Sequence, residues 1–248
     1  KNDFNFLRLR TQTLRGFFRL CKPKILKIPQ KVTTNRIMAI TYNNLYMDIR
    51  QQLRRAGVEA STLEARELVC FAAGKTRQQL QRDGQLYVPP PVEEQARALV
   101  RRHLAGEPVA YLIGEWEFYG LGLDITPDVL IPRMDTEVLA ERAILLARAA
   151  GEGARVLDLC AGSGCVGLAV AANVPGCRVV LADVSEAALR LCKQNVRRNE
   201  LNARVTCVQA DALEPPDAAL WDFDVIACNP PYIPTGDIAE LDVSVRDY

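Results

Sequence analysis

Residues 223–234 read FDVIACNPPYIP. An apolar run stops at Asn229, whose side chain carries both a carbonyl and an NH₂, and then meets Pro230 and Pro231, which have no N–H and fix φ. Tyr232 adds a flat ring. The run reads as a buried strand, and the prolines stiffen the chain just past its carboxyl end, the edge where ligands bind in open α/β sheets. A strand-terminating turn explains the same residues. A second stretch has comparable potential. Cys160-Ala161-Gly162-Ser163-Gly164 directly follows the apolar strand RVLDL, and its glycines allow close backbone approach to a ligand while the helix behind it offers free N–H groups. A G-x-G at this place is a weak signal, and a tight strand-to-helix turn explains it equally well. Asp158 lies on the strand before this loop. Asp183 ends the next strand, 19 residues after Gly164. A carboxylate there suits two ribose hydroxyls, and helix capping is the plainer alternative. Asp211 ends a third strand in QADAL.

The elements that must position these residues follow from periodicity. From Tyr42 to Leu112 the pattern is helical. Leu45, Ile49 and Leu53 recur at i, i+4, i+8 before Gly57. Ser61 with Glu64 predicts a capping box for STLEARELVCFAAG. TRQQLQRDG predicts a short helix, and PPVEEQARALVRRHLAGEP opens on prolines and acids and closes on bases, as the helix dipole favours. Together these predict an N-terminal helical bundle. Residues 113–132 alternate aromatic and β-branched residues around Gly120 and Gly122, the pattern of a β-hairpin or an extended linker. Asp135 or Thr136 is expected to cap the following helix. From Arg155 the chain alternates strand, glycine turn and helix, with Ser185 as the expected cap of SEAALRLCKQNVRRN. That rhythm predicts a parallel, doubly wound, Rossmann-like sheet with strand order 3-2-1-4.

Composition narrows the class. The 248 residues are 49% hydrophobic and 25% charged, typical of a soluble globular protein. The net charge of +1 conceals an asymmetry: residues 1–37 hold ten Lys/Arg and one acid (Asp3), leaving 21 bases and 29 acids, a net of −8, in 38–248. The acidic body argues against a broad grip on nucleic acid. Residues 1–37 read as an extension outside the fold. Eight cysteines form no C-x-x-C pair and sit mostly in apolar runs, so they read as buried small hydrophobes rather than metal ligands or disulfides. His103, the lone histidine, reads as a surface helix residue.

A glycine loop, two acids and NPPY at four successive strand ends resemble a class I S-adenosylmethionine-dependent methyltransferase. NPPY resembles the variant used on planar nitrogens, whether nucleobase amino groups or the glutamine amide. Outside the sheet, GEPVAYLIGEWEFYGL and VLIPRMDTE are similar to the protein-(glutamine-N5) methyltransferases of peptide chain release factors, and the similarity runs from about Tyr42 to the last residue. This resemblance implies a cytoplasmic, monomeric, S-adenosylmethionine-dependent enzyme that methylates the glutamine of the GGQ loop of a class I release factor, without membrane or direct nucleic-acid partners and without a metal. It divides the chain into the extension 1–37, a helical release-factor recognition domain at 38–112, the hairpin at 113–132 and the methyltransferase domain at 133–248. It places Asp158, Cys160, Ala161, Gly162, Ser163, Gly164 and Asn229 at the cofactor, Asp183 at its ribose, and Asp211 and Ala212 at its adenine. It makes Asn229, Pro230, Pro231 and Tyr232 the substrate site, with Asn229, Pro230 and Tyr232 catalytic. Two residues depart from the family pattern: Cys160 stands where Gly is usual, and Ala212 where many members carry a Trp that stacks on adenine.

The implied chemistry explains the Asn-Pro-Pro-Tyr turn. An amide nitrogen is a weak nucleophile because its lone pair is delocalised. The Asn229 side-chain carbonyl and the Pro230 backbone carbonyl can each accept one N–H of the substrate NH₂, fixing its plane, while the prolines supply rigidity and Tyr232 packs on the amide. The competing readings are an RNA or DNA amino-group methyltransferase using the same motif, and a non-catalytic protein that binds the translation machinery through its helices. A full sheet of this class has seven strands, and only four are readable after Arg155. The sequence therefore predicts a methyltransferase sheet truncated at its C-terminus, with an apolar fourth strand at an open, aggregation-prone edge.

Overall fold

The computed structural model describes residues 39–215 and 220–231. They belong to a unit spanning Ala39–Tyr248, separate from Lys1–Met38. The basic extension and Tyr232 lie outside the described residues.

Two apolar cores organise the described chain. The first is helical: α1 (Tyr42–Arg55), α2 (Ser61–Ala73), α3 (Arg77–Arg82), α4 (Pro90–Leu104) and α5 (Val109–Ile113). Leu45, Ile49 and Leu53 on α1 are all fully buried, as their spacing predicts. Two local expectations fail here. The capping box at Ser61 and Glu64 does not form: Ala60 is the N-cap, without a side-chain bond, and Ser61 begins the helix. Glu64 instead reaches His103 Nε2 at 2.9 Å, while His103 Nδ1 lies 2.8 Å from the Glu107 carbonyl. His103 is thus a half-buried bridge between α2 and α4 rather than a surface residue, because a part-buried carboxylate gains more from an ionisable partner than from an exposed amide. A capping box does form at Thr76 and Gln79, at the start of α3.

The hairpin follows as β1 (Glu115–Phe118) and β2 (Leu121–Asp124). Phe118 pairs with Leu121 across the two-residue loop Tyr119-Gly120, in which both residues have positive φ, 50° and 77°. That is the type I′ requirement, which matches the strands' twist. Phe118 and Leu123 are buried in the sheet's core, so the hairpin is packed onto the sheet.

Helix α6 (Met134–Ala150) begins one residue before Asp135, with Arg133 at the N-cap and no side-chain cap bond. The expected cap at Asp135 or Thr136 is therefore wrong; Asp135 lies in the first turn, where its charge still suits the dipole. The sheet comprises β3 (Arg155–Leu159), β4 (Arg178–Asp183), β5 (Val205–Gln209) and β6 (Val225–Cys228), with α7 (Cys165–Asn173) and α8 (Glu186–Arg198) as crossovers. All pairs are parallel, in the order β5-β4-β3-β6, the predicted 3-2-1-4. Among the described residues β6 is an edge strand. It buries Val225 and Ala227 but leaves Ile226 61% exposed, so it is covered on one face rather than two.

Candidate functional site

The register of the sheet assembles the site. Leu159 pairs with both Ala182 and Cys228, so Cys160, Asp183 and Asn229 emerge side by side at the carboxyl edge. Asp183 pairs with Gln209, which sets Asp211 two residues beyond the end of β5. Asn229 is half-buried and Pro230 and Pro231 are exposed. The loop and the Asn-Pro-Pro turn thus share one edge, as four separate stretches of sequence implied.

The loop and the helix that follows it are held from the sheet. Ala161 N donates to the Ala182 carbonyl at 3.0 Å. From β4, Asp183 Oδ2 accepts the Gly162 N–H at 2.8 Å and Oδ1 accepts the Ser185 N–H at 2.9 Å. Ser185, as expected, is the N-cap of α8, its side chain accepting from Ala188 N. Asp183 is therefore not that cap but a brace between the loop and the start of α8. Each of its oxygens keeps acceptor capacity for a further donor. From below, Asp158 Oδ2 accepts the Gly167 N–H at 2.8 Å. The N-cap of α7 is Gly164, which has no side chain to cap with, and Asp158 supplies the missing acceptor for an amide of the first turn. Asp158 is 2% exposed, and burial pushes its pKa up from 3.8 to about 7, the Gly167 hydrogen bond opposing that rise and the nearby Asp183 adding to it.

Backbone conformation explains the residue types. Gly162 and Gly164 have φ of 55° and 81°, where L side chains are strained. A Cβ on Gly162 would meet no atom within 4 Å, so the loop opens onto free space there. A Cβ on Gly164 would sit 2.9 Å from Leu181 Cδ1, so glycine is also needed for helix-to-sheet packing. Cys160 itself has φ of 60°, the left-handed region. The place where the resemblance leads one to expect glycine is thus a place where glycine fits best.

Asp211 and Ala212 are exposed in the turn after β5, and Asp211 Oδ1 accepts the Leu213 N–H at 2.9 Å. Asn195 on α8 escaped the sequence reading. It is fully buried and bonds both to Asp124 and to the Ser163 carbonyl. Its signal was present in LCKQN: an amide three residues after Cys192, on the helix's apolar face.

Residues 44–114 match the PrmC N-terminal domain and residues 122–243 the Methyltransferase small domain. The release factor glutamine methyltransferase of Geobacter sulfurreducens is 40% identical over 201 residues, covering 80% of this chain and 68% of that protein. That of Moorella thermoacetica is 38% identical over 196 residues, covering 79% and 68%. The chain belongs to the release factor glutamine methyltransferase family. The Bordetella pertussis member is 45% identical over 173 residues, covering 69% of this chain and 62% of that protein.

The family implies S-adenosylmethionine, and the residues present fit it. Ser163 Oγ is buried with no nitrogen or oxygen partner among the described residues, only the weakly bonding Cys165 thiol beside it. Gly162 faces open space, and Asp183 retains acceptor capacity beside it. A polar, ribose-bearing ligand matches that set. Among the described residues no group of three or more His, Cys, Asp or Glu is arranged to hold a metal, and no helix is long and apolar enough to cross a membrane.

Proposed function

We propose that this chain methylates the side-chain amide nitrogen of a glutamine in a peptide chain release factor, the glutamine of its GGQ loop, using S-adenosylmethionine. The observation that supports this reading is the placement of Asn229 beside the glycine loop, at the end of β6 and next to Cys160 across the β3–β6 register. The acceptors there are uncharged, which suits a neutral amide.

S-adenosylmethionine, when bound, supplies an electrophilic methyl group. The loop Cys160–Gly164 and Asp183 hold it, with Asp183 at the ribose and the turn at Asp211 and Ala212 beside the adenine. The Asn229 Oδ1 and the Pro230 carbonyl accept the two N–H groups of the substrate amide and fix its plane and direction. Pro230 and Pro231 keep those acceptors from relaxing. The nitrogen–methyl bond would form as the sulfur–methyl bond breaks, leaving S-adenosylhomocysteine, and one amide proton would pass by way of its carbonyl acceptor to water; positioning and fixed dipoles supply the acceleration, so no strong base is required. The helical region 38–112 recognises the release factor, the hairpin joins it to the catalytic sheet, and residues 1–37 take no part. The enzyme acts as a cytoplasmic monomer.

The test is transfer of a labelled methyl group from S-adenosylmethionine in parallel reactions with a class I release factor, RNA and DNA. Label in the release factor alone is the expected result. Label in a nucleic acid would favour an amino-group methyltransferase, and none in any arm would remove the assignment.

A further inference from the structure

Helix α8 is amphipathic, and its inner face carries Ala188, Leu191, Cys192 and Val196, all buried. Asn195 lies on that same face with no exposed surface. A buried carboxamide is costly unless its donors and acceptor are paired. Here they are: Oδ1 accepts the Asp124 N–H at 2.6 Å, and Nδ2 donates to the Asp124 carbonyl and to the Ser163 carbonyl, each at 3.0 Å. Toward Asp124 the side chain imitates a neighbouring strand, engaging both backbone groups at the end of β2. Its remaining N–H goes to the glycine loop. One turn earlier on α8, Cys192 Sγ lies 3.2 Å from the Gly162 carbonyl, so two successive turns of the helix hold two successive carbonyls of that loop.

Other side chains of α8 also fasten the hairpin. Arg198 pairs with Glu115 at 2.7 Å and with Asp124, and Asn199 Nδ2 donates to the Gly122 carbonyl at 3.0 Å. Of these, Asn195 alone also reaches the loop. The hairpin in turn borders the helical core: Leu63, Glu67 and Arg77 line a cavity of about 390 Å³ together with Trp116, Glu117 and Arg198. The hairpin therefore packs on the sheet's core and faces helices α2 and α3 across that cavity, and its last residue is tied through one buried amide to the loop under the cofactor site.

We propose that Asn195 is a positioning residue that couples the hairpin to the cofactor loop, so that occupancy of the loop stiffens the hairpin and the hairpin's seating sets cofactor affinity. The coupling is reciprocal by thermodynamic linkage. It rests on the reading that Cys160–Gly164 holds S-adenosylmethionine, and extends it to a residue outside that loop.

The test uses the full chain with S-adenosylhomocysteine, the unreactive product. Amide hydrogen exchange at Asp124 should slow at least about threefold on saturation, although this amide is on the hairpin. Asn195→Ala should weaken S-adenosylhomocysteine binding about tenfold, the scale for unpaired buried groups, and abolish the Asp124 response. Asn199→Ala, which loosens the hairpin without touching the loop, should bind within about twofold of the parent. A merely structural role for Asn195 would lower the melting temperature without this split. If the parent binds but Asp124 exchange is unmoved, or if Asn199→Ala loses as much affinity as Asn195→Ala, the coupling is refuted while the site stands. If the parent does not bind at all, the cofactor reading falls and the coupling with it. Should Asn195→Ala fail to fold, the exchange measurement on the unmodified chain decides.

Discussion

The helical region and the sheet handle polar groups in opposite ways. In the helical region the charges pair at or near the surface: Lys75 with Asp83 at 2.7 Å, Arg77 with Glu67 at 2.7 Å, and Arg97 with both Asp48 and Glu93 at 2.8 and 2.9 Å. Ser61 is the buried polar residue there. In the sheet region the buried polar residues are Asp158, Ser163 and Asn195, and all three lie in or against the glycine loop. Exposed pairs are screened and add little each. Buried groups are costly unless paired: Asp158 and Asn195 are, and their bonds stiffen the loop and the helix behind it, while Ser163 Oγ has no nitrogen or oxygen partner among the described residues. The difference sets a region whose polar groups lie mostly at its surface against one whose buried polar groups gather at the glycine loop and the helix behind it.

The largest effect expected from this contrast is at Asn229. Asn229→Ala removes an acceptor and Asn229→Asp adds a charge; each should slow methyl transfer at least about 10²-fold, the scale for one preorganised group. Cofactor affinity, measured by calorimetry, should change far less. Asp183→Ala should weaken S-adenosylmethionine binding by about 1–3 kcal/mol, since it removes both the ribose acceptor and the brace to Gly162. An unchanged dissociation constant would leave Asp183 a purely structural brace.

Asp158 sharpens the comparison through pH. Its folded pKa is raised from 3.8 to about 7 by burial, so the folded state holds its proton more tightly than the unfolded one. Its contribution to stability is complete below 3.8 and is lost as pH rises through about 7. Asp158→Asn should flatten the stability profile across that window by more than about 1 kcal/mol, seen in denaturant melts at several pH values. A profile unchanged by the substitution would show that the carboxyl is not the titrating group.

In the helical region, the pairing with Glu64 raises the pKa of His103 above 6.5. That contribution is present below 6.5 and is lost as pH rises through the raised value. His103→Ala should cost about 1 kcal/mol at pH 6 and less at pH 9, with cofactor binding unaffected; a change in cofactor affinity would break the division between the regions. Smallest is Cys160→Gly, which relieves a left-handed residue and should stabilise by about 0.5–1 kcal/mol. A lower melting temperature would mean that the Cys160 side chain contributes packing that outweighs its strain.

What was legible in the sequence was local. A hairpin near Gly120, the Ser185 cap and the 3-2-1-4 strand order all follow from short patterns and the handedness of crossovers, while the turn's place at Tyr119-Gly120 came from the structure. What was missed joins distant residues. His103 and Glu64 are 39 positions apart, and Asn195 and Asp124 are 71 apart, so no window of sequence shows either pair. The Ser61–Glu64 box had the right spacing, but the distant partner won. The glycine loop and the acids were readable as a set, whereas the role of Asp158 was not, because only the fold shows that Gly164 leaves the start of α7 uncapped and Asp158 beneath it.

The central claim is that Asn229 and its prolines present a glutamine amide to the cofactor carried by the adjacent loop. Tandem mass spectrometry of a class I release factor, incubated with S-adenosylmethionine and either the parent chain or Asn229→Ala, tests it most directly. The account predicts one added methyl group on the side chain of the GGQ glutamine with the parent, and almost none with the variant over the same time. A methyl group on another residue, or equal methylation by the variant, would contradict it.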